Sequence, residues 1–174
     1  MIITIGGPPG SGKTTVARML SEKLGMELVV IGEVFRAMAK ERGLSLAEFG
    51  DVASEDHTID LMIDKRTVDL AQKGNIILEG RLAGVMMRTQ KIPSFKIWLA
   101  ADIAERARRI AGREKEKPEN VLERMKKREQ CEKERYRVIY EIEYDDRFIY
   151  DLVIDTSDIT PEEIVKIILD QLEV

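Results

Sequence analysis

The segment GPPGSGKT at residues 7–14 fits the spacing G-x-x-x-x-G-K-[ST] at every fixed position. In such a loop the glycines let the backbone curl so that successive N–H groups face a phosphate, and the following helix N-terminus adds its positive dipole. The expected nucleotide-binding stretch is Gly7, Pro8, Pro9, Gly10, Ser11, Gly12, Lys13, Thr14 and Thr15. Lys13 would reach the β- and γ-phosphates of a triphosphate, and the Thr14 hydroxyl would ligate Mg²⁺. A carboxylate suited to the same metal is Glu79, which ends the apolar run NIILE. An acid there sits at the C-terminal edge of a sheet, where ligands bind in open α/β folds. The competing role for Glu79 is a helix cap.

A triphosphate site alone does not separate a phosphotransferase from a GTPase, a motor or a nucleotide-gated regulator. Arginines do, because phosphoryl transfer needs cations spread around the moving group and the guanidinium supplies them in a fixed fork. In the helical pattern at 102–112, Ile103, Ala107, Ile110 and Ala111 mark a buried stripe, and Arg106, Arg109 and Arg113 project together from one flank. Their mutual repulsion would be reversed by a bound polyphosphate; pairing with Glu105 and Glu114 is the alternative.

The charge run KREQCEKER at 127–135 divides in the same way. Val121, Met125, Ile139 and Ile142 fall on one stripe, which continued through the middle lands on Arg128, Glu132 and Arg135. Lys126, Lys127, Lys133 and Glu134 point to solvent. An inward stripe carrying two arginines and a carboxylate describes a ligand cleft; a buried ion network, costly without full pairing, is the alternative. Arg36 and Arg81 follow the second strand and the acid-bearing strand, where both could hold a second phosphate opposite the loop. His57, the only histidine, reads as a rim residue.

These residues need a scaffold, and the sequence describes one. Continuous apolar runs at 1–6, 27–30, 75–78, 95–99 and 151–154 predict strands buried on both faces. Helical patterns at 13–25, 33–42, 56–73, 102–112, 118–147 and 161–173 lie between them. Strands alternating with helices imply an α/β fold, with a five-stranded parallel sheet between two helical layers. The polar stretch GREKEKPEN at 112–120 is expected to be a short mobile loop.

Composition narrows the classes. With 174 residues and 44% hydrophobic content the chain suits one domain, 1–174, with a sizeable core. A net charge of −4 offers no broad basic surface for nucleic acid. The single Cys131 permits neither an internal disulfide nor a cysteine zinc cluster, which fits a reducing compartment. No apolar run is long enough to span a bilayer and the N-terminus lacks a signal-peptide pattern, so a soluble cytoplasmic protein is expected. The 34% charged content, with few Asn or Gln, leans toward a thermophile.

Taken together, the chain resembles the P-loop nucleoside monophosphate kinases, and among them the cytidylate kinases in the short form typical of archaea. The resemblance rests on GPPGSGKT, GEVFRAM at 32–38, NIILEGRLAG at 75–84, ERARRIAGRE at 105–114, REQCEKER at 128–135 and DLVIDTSDITPEE at 151–163. It implies a P-loop NTPase core with a short lid near 109–120 and an acceptor-binding segment near 32–73, with 43–60 as its flap. The implied reaction moves the γ-phosphoryl of ATP to CMP or dCMP, giving ADP and CDP, with Mg²⁺. By motif, Arg36 and Arg81 would grip the acceptor phosphate, Arg128 and Arg135 would bridge acceptor and transferred phosphoryl, and Arg109 and Arg113 would close over ATP. Glu132 would lie near the cytidine end, and the loop at 157–160 would border the adenine.

The chain departs from the bacterial members at three places. Val30 and Ile31 stand where they have Asp-Ser, Cys131 where they have a further Arg, and GRLAG where they have GRDIG. These positions bear on how base and ribose are read. Small-molecule nucleotides are the expected partners, without nucleic acid or membrane, and a monomer is expected. The rival readings are adenylate kinase, a small-metabolite kinase such as one for shikimate and, from a different class, a non-enzymatic NTP switch.

Overall fold

A computed structural model describes residues 1–143 and 145–173. Five parallel strands form its centre: β1 (Ile2–Gly6), β2 (Glu27–Val30), β3 (Ile76–Glu79), β4 (Phe95–Ala100) and β5 (Leu152–Asp155). Their spatial order is β2-β3-β1-β4-β5. The register aligns Val30 with Glu79, Ile5 with Glu79, Gly6 with Trp98 and Ala100 with Asp155. All five C-terminal ends therefore reach one edge, and the residues that follow them share one crevice.

Among the described residues eight α-helices connect and cover the strands: α1 (Lys13–Leu24), α2 (Ile31–Glu41), α3 (Leu46–Glu55), α4 (Thr58–Ala71), α5 (Ala83–Thr89), α6 (Ile103–Glu114), α7 (Pro118–Tyr140) and α8 (Pro161–Gln171). On one face of the sheet Ile3, Ile5, Ile77, Ile97 and Leu99 pack with Val16 and Leu20 of α1 and Ile164 and Ile168 of α8. On the other, Leu78 and Trp98 pack with Ala71, Met87, Tyr136 and Tyr150. Burial on both faces explains why the strands read as continuous apolar runs.

Two satellite units have cores of their own. In the first, helices α2, α3 and α4 enclose Ala39, Phe49, Ala53, Ile59 and Ile63. Helix α3 lies inside the segment expected as the acceptor flap, and a reciprocal cap between Ser45 and Glu48 starts it. In the second, α6 and α7 form a hairpin closed over Ala107, Ile110, Val121 and Met125.

The structure corrects three expectations here. The stretch 112–120 is not a loop: α6 runs to Glu114, Lys115 turns left-handed at φ 57°, and Pro118 opens α7, leaving only residues 115–117 between helices. Helix α7 ends at Tyr140, where Glu141 adopts φ 55°, so Ile142 belongs to no helical stripe. Helix α5 was not anticipated, because Ala83, Gly84, Val85, Met86 and Met87 are all buried and a helix covered all round shows no amphipathic period.

Candidate functional site

The phosphate loop lies between β1 and α1 as its sequence requires. Gly7, Gly10 and Gly12 have φ of 146°, 79° and 90°, which side chains rarely adopt. A Cβ at Gly7 would collide with the Leu99 carbonyl oxygen, and one at Gly10 would come within 2.8 Å of the Arg106 carbonyl oxygen. Helix α1 opens after Gly12 with no side-chain cap, so its first N–H groups face the crevice. The Lys13 ammonium donates to the Pro8 carbonyl at 2.8 Å. Burial lowers its pKa to about 8, partly offset by the negative charge of Glu79.

The sequence-predicted metal pair is brought together. Thr14 Oγ1 donates to Glu79 Oε2 at 3.0 Å, and Glu79 is only 5% exposed. A hydroxyl and a carboxylate at this spacing are the hard oxygen donors that Mg²⁺ takes. That ion keeps several waters and uses substrate phosphates for the rest of its shell. Among the described residues no group of three or more His, Cys, Asp or Glu could hold a metal ion. The residues present fit Mg²⁺.

On one side of the loop a cleft of about 330 Å³ is lined by Gly10, Gly12, Thr15, Arg109, Arg113 and Ile159. Arg109 Nε donates to Glu105 at 2.7 Å, and its other nitrogens reach Thr156 Oγ1 at 3.2 Å and the Thr156 and Ser157 carbonyls. Two arginines, Arg108 first and then Arg109, bring the Glu105 carboxyl down to about 2. Arg113 is exposed and touches Glu114 at 3.3 Å at the cleft mouth.

Arg106 does not join them. It is 6% exposed and donates to the Ala101 carbonyl at 3.1 Å and the Pro9 carbonyl at 3.2 Å, and it pairs with Glu129 of α7. Its guanidinium braces the phosphate loop from outside, so of the three arginines expected together on this flank only Arg109 and Arg113 line the cleft. Helical spacing alone could not reveal that the loop and α7 pack on that part of the flank.

Across the crevice, α7 turns Glu132 and Arg135 inward as its stripe predicts, but Arg128 on the same stripe is 47% exposed and Ile142 lies beyond the helix. Glu132 is 6% exposed and accepts from Arg128 Nε at 2.9 Å, and the Arg81 guanidinium contacts the same Oε1. Arg135 pairs at 3.2 Å with Asp60 of α4 and lies over the Tyr136 ring at 5.2 Å. Arg36 is exposed on α2, its guanidinium folded back over Gly32, and His57 sits half-buried at the start of α4. Ile31 packs on Gly80 so closely that a Cβ there would fall 2.7 Å from Ile31 Cδ1. Cys131 is exposed, away from the Glu132 side of the helix.

The chain is also similar to known proteins. Residues 2–158 match the model of the cytidylate kinase-like family. A cytidylate kinase of Methanococcus vannielii is 50% identical over 158 residues, covering 90% of this chain and 91% of that one. Another, of Methanocaldococcus jannaschii, is 46% identical over 174 residues, covering 99% and 98%. The chain belongs to the cytidylate kinase-like family. In fold it is also similar to shikimate kinase from Bacteroides thetaiotaomicron, with a TM-score of 0.67 at 14% identity, covering 100% of this chain and 99% of that one.

In this cytidylate kinase-like chain two further residues border the described site and carry little signal in the sequence. Asp60 is 7% exposed and sits between the buried Ile59 and Ile63, and that apolar setting was the available signal. Thr156 is fully buried, donates to the Ser11 carbonyl at 3.0 Å and so ties the end of β5 to the phosphate loop. Nothing local marks it, because its partner lies 145 positions away in the chain.

Proposed function

We propose that this chain is a nucleoside monophosphate kinase that transfers the γ-phosphoryl of ATP to CMP, and to dCMP, giving ADP and CDP or dCDP. The observation that carries the reading is the pair of anion-binding walls facing one another. The phosphate loop with Lys13 forms one, and Arg81 and Arg128, gathered on the buried Glu132, form the other. A switch or simple hydrolase has no use for the second wall. The names of the cytidylate kinase relatives supply the acceptor.

In this reading ATP lies along the phosphate loop, its adenine end in the cleft beside Arg109, Arg113 and Ile159. Arg36 and Arg81 hold the acceptor phosphate, and Arg128 spans acceptor and transferred phosphoryl. Arg135, two turns beyond Arg128 along the helix, joins it in bridging the two. Lys13, Arg128, Arg109 and Arg113 neutralise charge as the phosphoryl moves in line between oxygens. Mg²⁺, held by Thr14 and Glu79, would supply charge neutralisation on the phosphate oxygens. The acceptor phosphate oxygen is already a nucleophile, so no general base is needed. The carboxylates of Glu132 and Asp60 occupy the arginines in the free protein and would yield them to substrate phosphate and base.

The α6–α7 hairpin acts as the lid and α2–α4 as the acceptor flap. Among the described residues no helix is long and apolar enough to cross a membrane, and we place the enzyme in the cytoplasm as a monomer. Light scattering should return a mass near 19.8 kDa. The activity test is ADP release from Mg-ATP with CMP, dCMP, UMP, AMP or shikimate offered separately. Turnover with CMP and dCMP well above the others is expected. Turnover confined to AMP, or ATP hydrolysis independent of acceptor, would overturn the acceptor assignment.

A further inference from the structure

Thr156 is the first residue after β5 and is fully buried. Its backbone N–H donates to the Ala100 carbonyl at 2.8 Å, so the sheet pins it. The next residue is tied as firmly. Ser157 Oγ donates to Asp155 Oδ1 at 2.6 Å and accepts from the Asp102 N–H, at the start of α6, at 2.9 Å. The Thr156 side chain therefore projects from a rigid frame made by the ends of β4 and β5 and the cap of α6.

A hydroxyl has one hydrogen to give and two lone pairs with which to receive. The Thr156 hydroxyl gives its hydrogen to the Ser11 carbonyl at 3.0 Å, in a buried bond. Its lone pairs are left for Arg109, whose Nη1 donates to it at 3.2 Å. The same guanidinium reaches the Thr156 carbonyl at 2.5 Å and the Gly10 carbonyl at 3.5 Å. Sheet, phosphate loop and lid arginine thus meet on one side chain. In a trans peptide a carbonyl and the following N–H point in opposite directions. Holding the Ser11 carbonyl on Thr156 therefore aims the Gly12 N–H away from it, and Gly12 is the residue from which α1 opens onto the crevice.

We propose that Thr156 is a positioning residue for phosphoryl transfer: its hydroxyl sets the Gly12 amide and the Arg109 guanidinium in one frame before ATP arrives. This rests on the reading of the phosphate loop as the ATP site of a kinase. Thr156 acts through Gly12 and Arg109 and does not touch the moving phosphoryl. The arrangement is directional, because a hydroxyl whose hydrogen is committed to Ser11 presents only lone pairs to the cation. Valine has the same shape but offers neither the donor nor the acceptor. In Thr156→Val the Ser11 carbonyl loses this bond and its peptide loses an anchor, while Arg109 loses one of its acceptors. A misplacement of about 1 Å in groups that surround a reacting centre costs about 100-fold in rate.

The test measures kcat and both KM values in wild type, Thr156→Val, Thr156→Ser, Arg109→Met and the Arg109→Met/Thr156→Val pair. Thr156→Val should lower kcat/KM for ATP about 10–100-fold while KM for CMP stays within about twofold. Thr156→Ser keeps the hydroxyl and should recover to within about threefold of wild type. On the Arg109→Met background the valine change should cost at most about a third of its fold-loss in wild type, because part of its effect runs through that arginine. Losses that multiply fully in the pair, equal rises in both KM values, or no recovery in Thr156→Ser would overturn the proposal and leave Thr156 a structural tie. If Thr156→Val fails to fold, Thr156→Ala removes the same hydroxyl and carries the comparison. Calorimetric titration with Mg²⁺ and β,γ-imido-ATP needs no acceptor, so it stands apart from the CMP assignment. There a loss of about tenfold or more in Thr156→Val supports the positioning role whatever the acceptor, and a loss below about threefold overturns it. A wild type that does not bind the analogue would overturn the ATP reading itself, and the proposal with it.

Discussion

Lys13 illustrates how one residue carries both binding and a pH limit. Its ammonium sits against the Pro8 carbonyl, and burial brings its pKa to about 8. In the free enzyme the charge needed for the polyphosphate is therefore lost as pH rises through about 8, well below the range of an ordinary lysine. We expect kcat/KM for ATP to fall above that pH, as this parameter reports ionisations of the free enzyme. Lys13→Arg, whose charge does not titrate there, should work more slowly with a flat profile to pH 9.5; an unchanged slope would assign the ionisation elsewhere. The stability effect has the opposite sense. Between about pH 8 and 10.5 the unfolded chain binds the extra proton, so this group favours the folded state more as pH rises through that window. Glu79, 3.0 Å from Thr14, has a separate signature. Glu79→Gln should raise the Mg²⁺ concentration for half-maximal activity about 10–100-fold while leaving KM for CMP nearly unchanged.

At the scale of elements, the Arg106–Glu129 pair shows what a helix hairpin does for a loop. Helix α6 sends Arg106 to the Pro9 carbonyl, and α7 sends Glu129 to balance it, so the hairpin and the phosphate loop are fixed to each other. Glu129→Gln would leave a buried guanidinium short of its counter-charge, at a cost of about 3 kcal/mol. For a chain of this size that lowers Tm by roughly 6–12 °C. KM for ATP should rise more than KM for CMP, because the loosened segment lies on the ATP side; equal rises would mean general loosening instead. The elements also show what the sequence could disclose. Strands buried on both faces are continuous apolar runs, and the phosphate loop is a local pattern with its confirming context, so the sheet and that site were legible. On α7 the inward placement of Glu132 and Arg135 was legible too, since charged residues interrupt an apolar period there, but the exposure of Arg128 was not. What escaped depended on neighbours distant in the chain. Arg106 differs from Arg109 only through Pro9 and Glu129, Asp60 matters only through Arg135, and α5 is concealed by its complete burial.

Over the whole molecule the question is how the acceptor flap is joined to the rest. Helix α4 belongs to the flap's own core, yet its inner face reaches α7 twice: Asp60 to Arg135 and, one turn later, Asp64 to the Tyr140 hydroxyl. The second contact borders a half-open apolar groove of about 430 Å³ formed with Leu61, Val68, Val85 and Met86. Burial raises the Asp64 carboxyl to about 6, opposed by the bond from Tyr140, and the nearby Asp60 raises it further. The folded protein therefore holds a proton that the unfolded chain has released between about pH 4 and 6. Asp64 costs stability as pH climbs through that window, and the full cost remains above it. Asp64→Asn keeps an oxygen to accept from Tyr140 and carries no charge. It should raise unfolding stability at pH 7.5 by about 1–2 kcal/mol, allowing for solvent screening of a half-buried group, and leave it unchanged near pH 4. Urea titrations at the two pH values measure this directly. Equal stabilisation at both would point to packing, and destabilisation at pH 7.5 would mean the carboxylate is needed to hold the flap against α7. A firmer tie between α4 and α7 should hold the flap closed longer, so turnover of Asp64→Asn at saturating substrate should fall where flap opening releases product; unchanged turnover would separate this edge of the fold from product release.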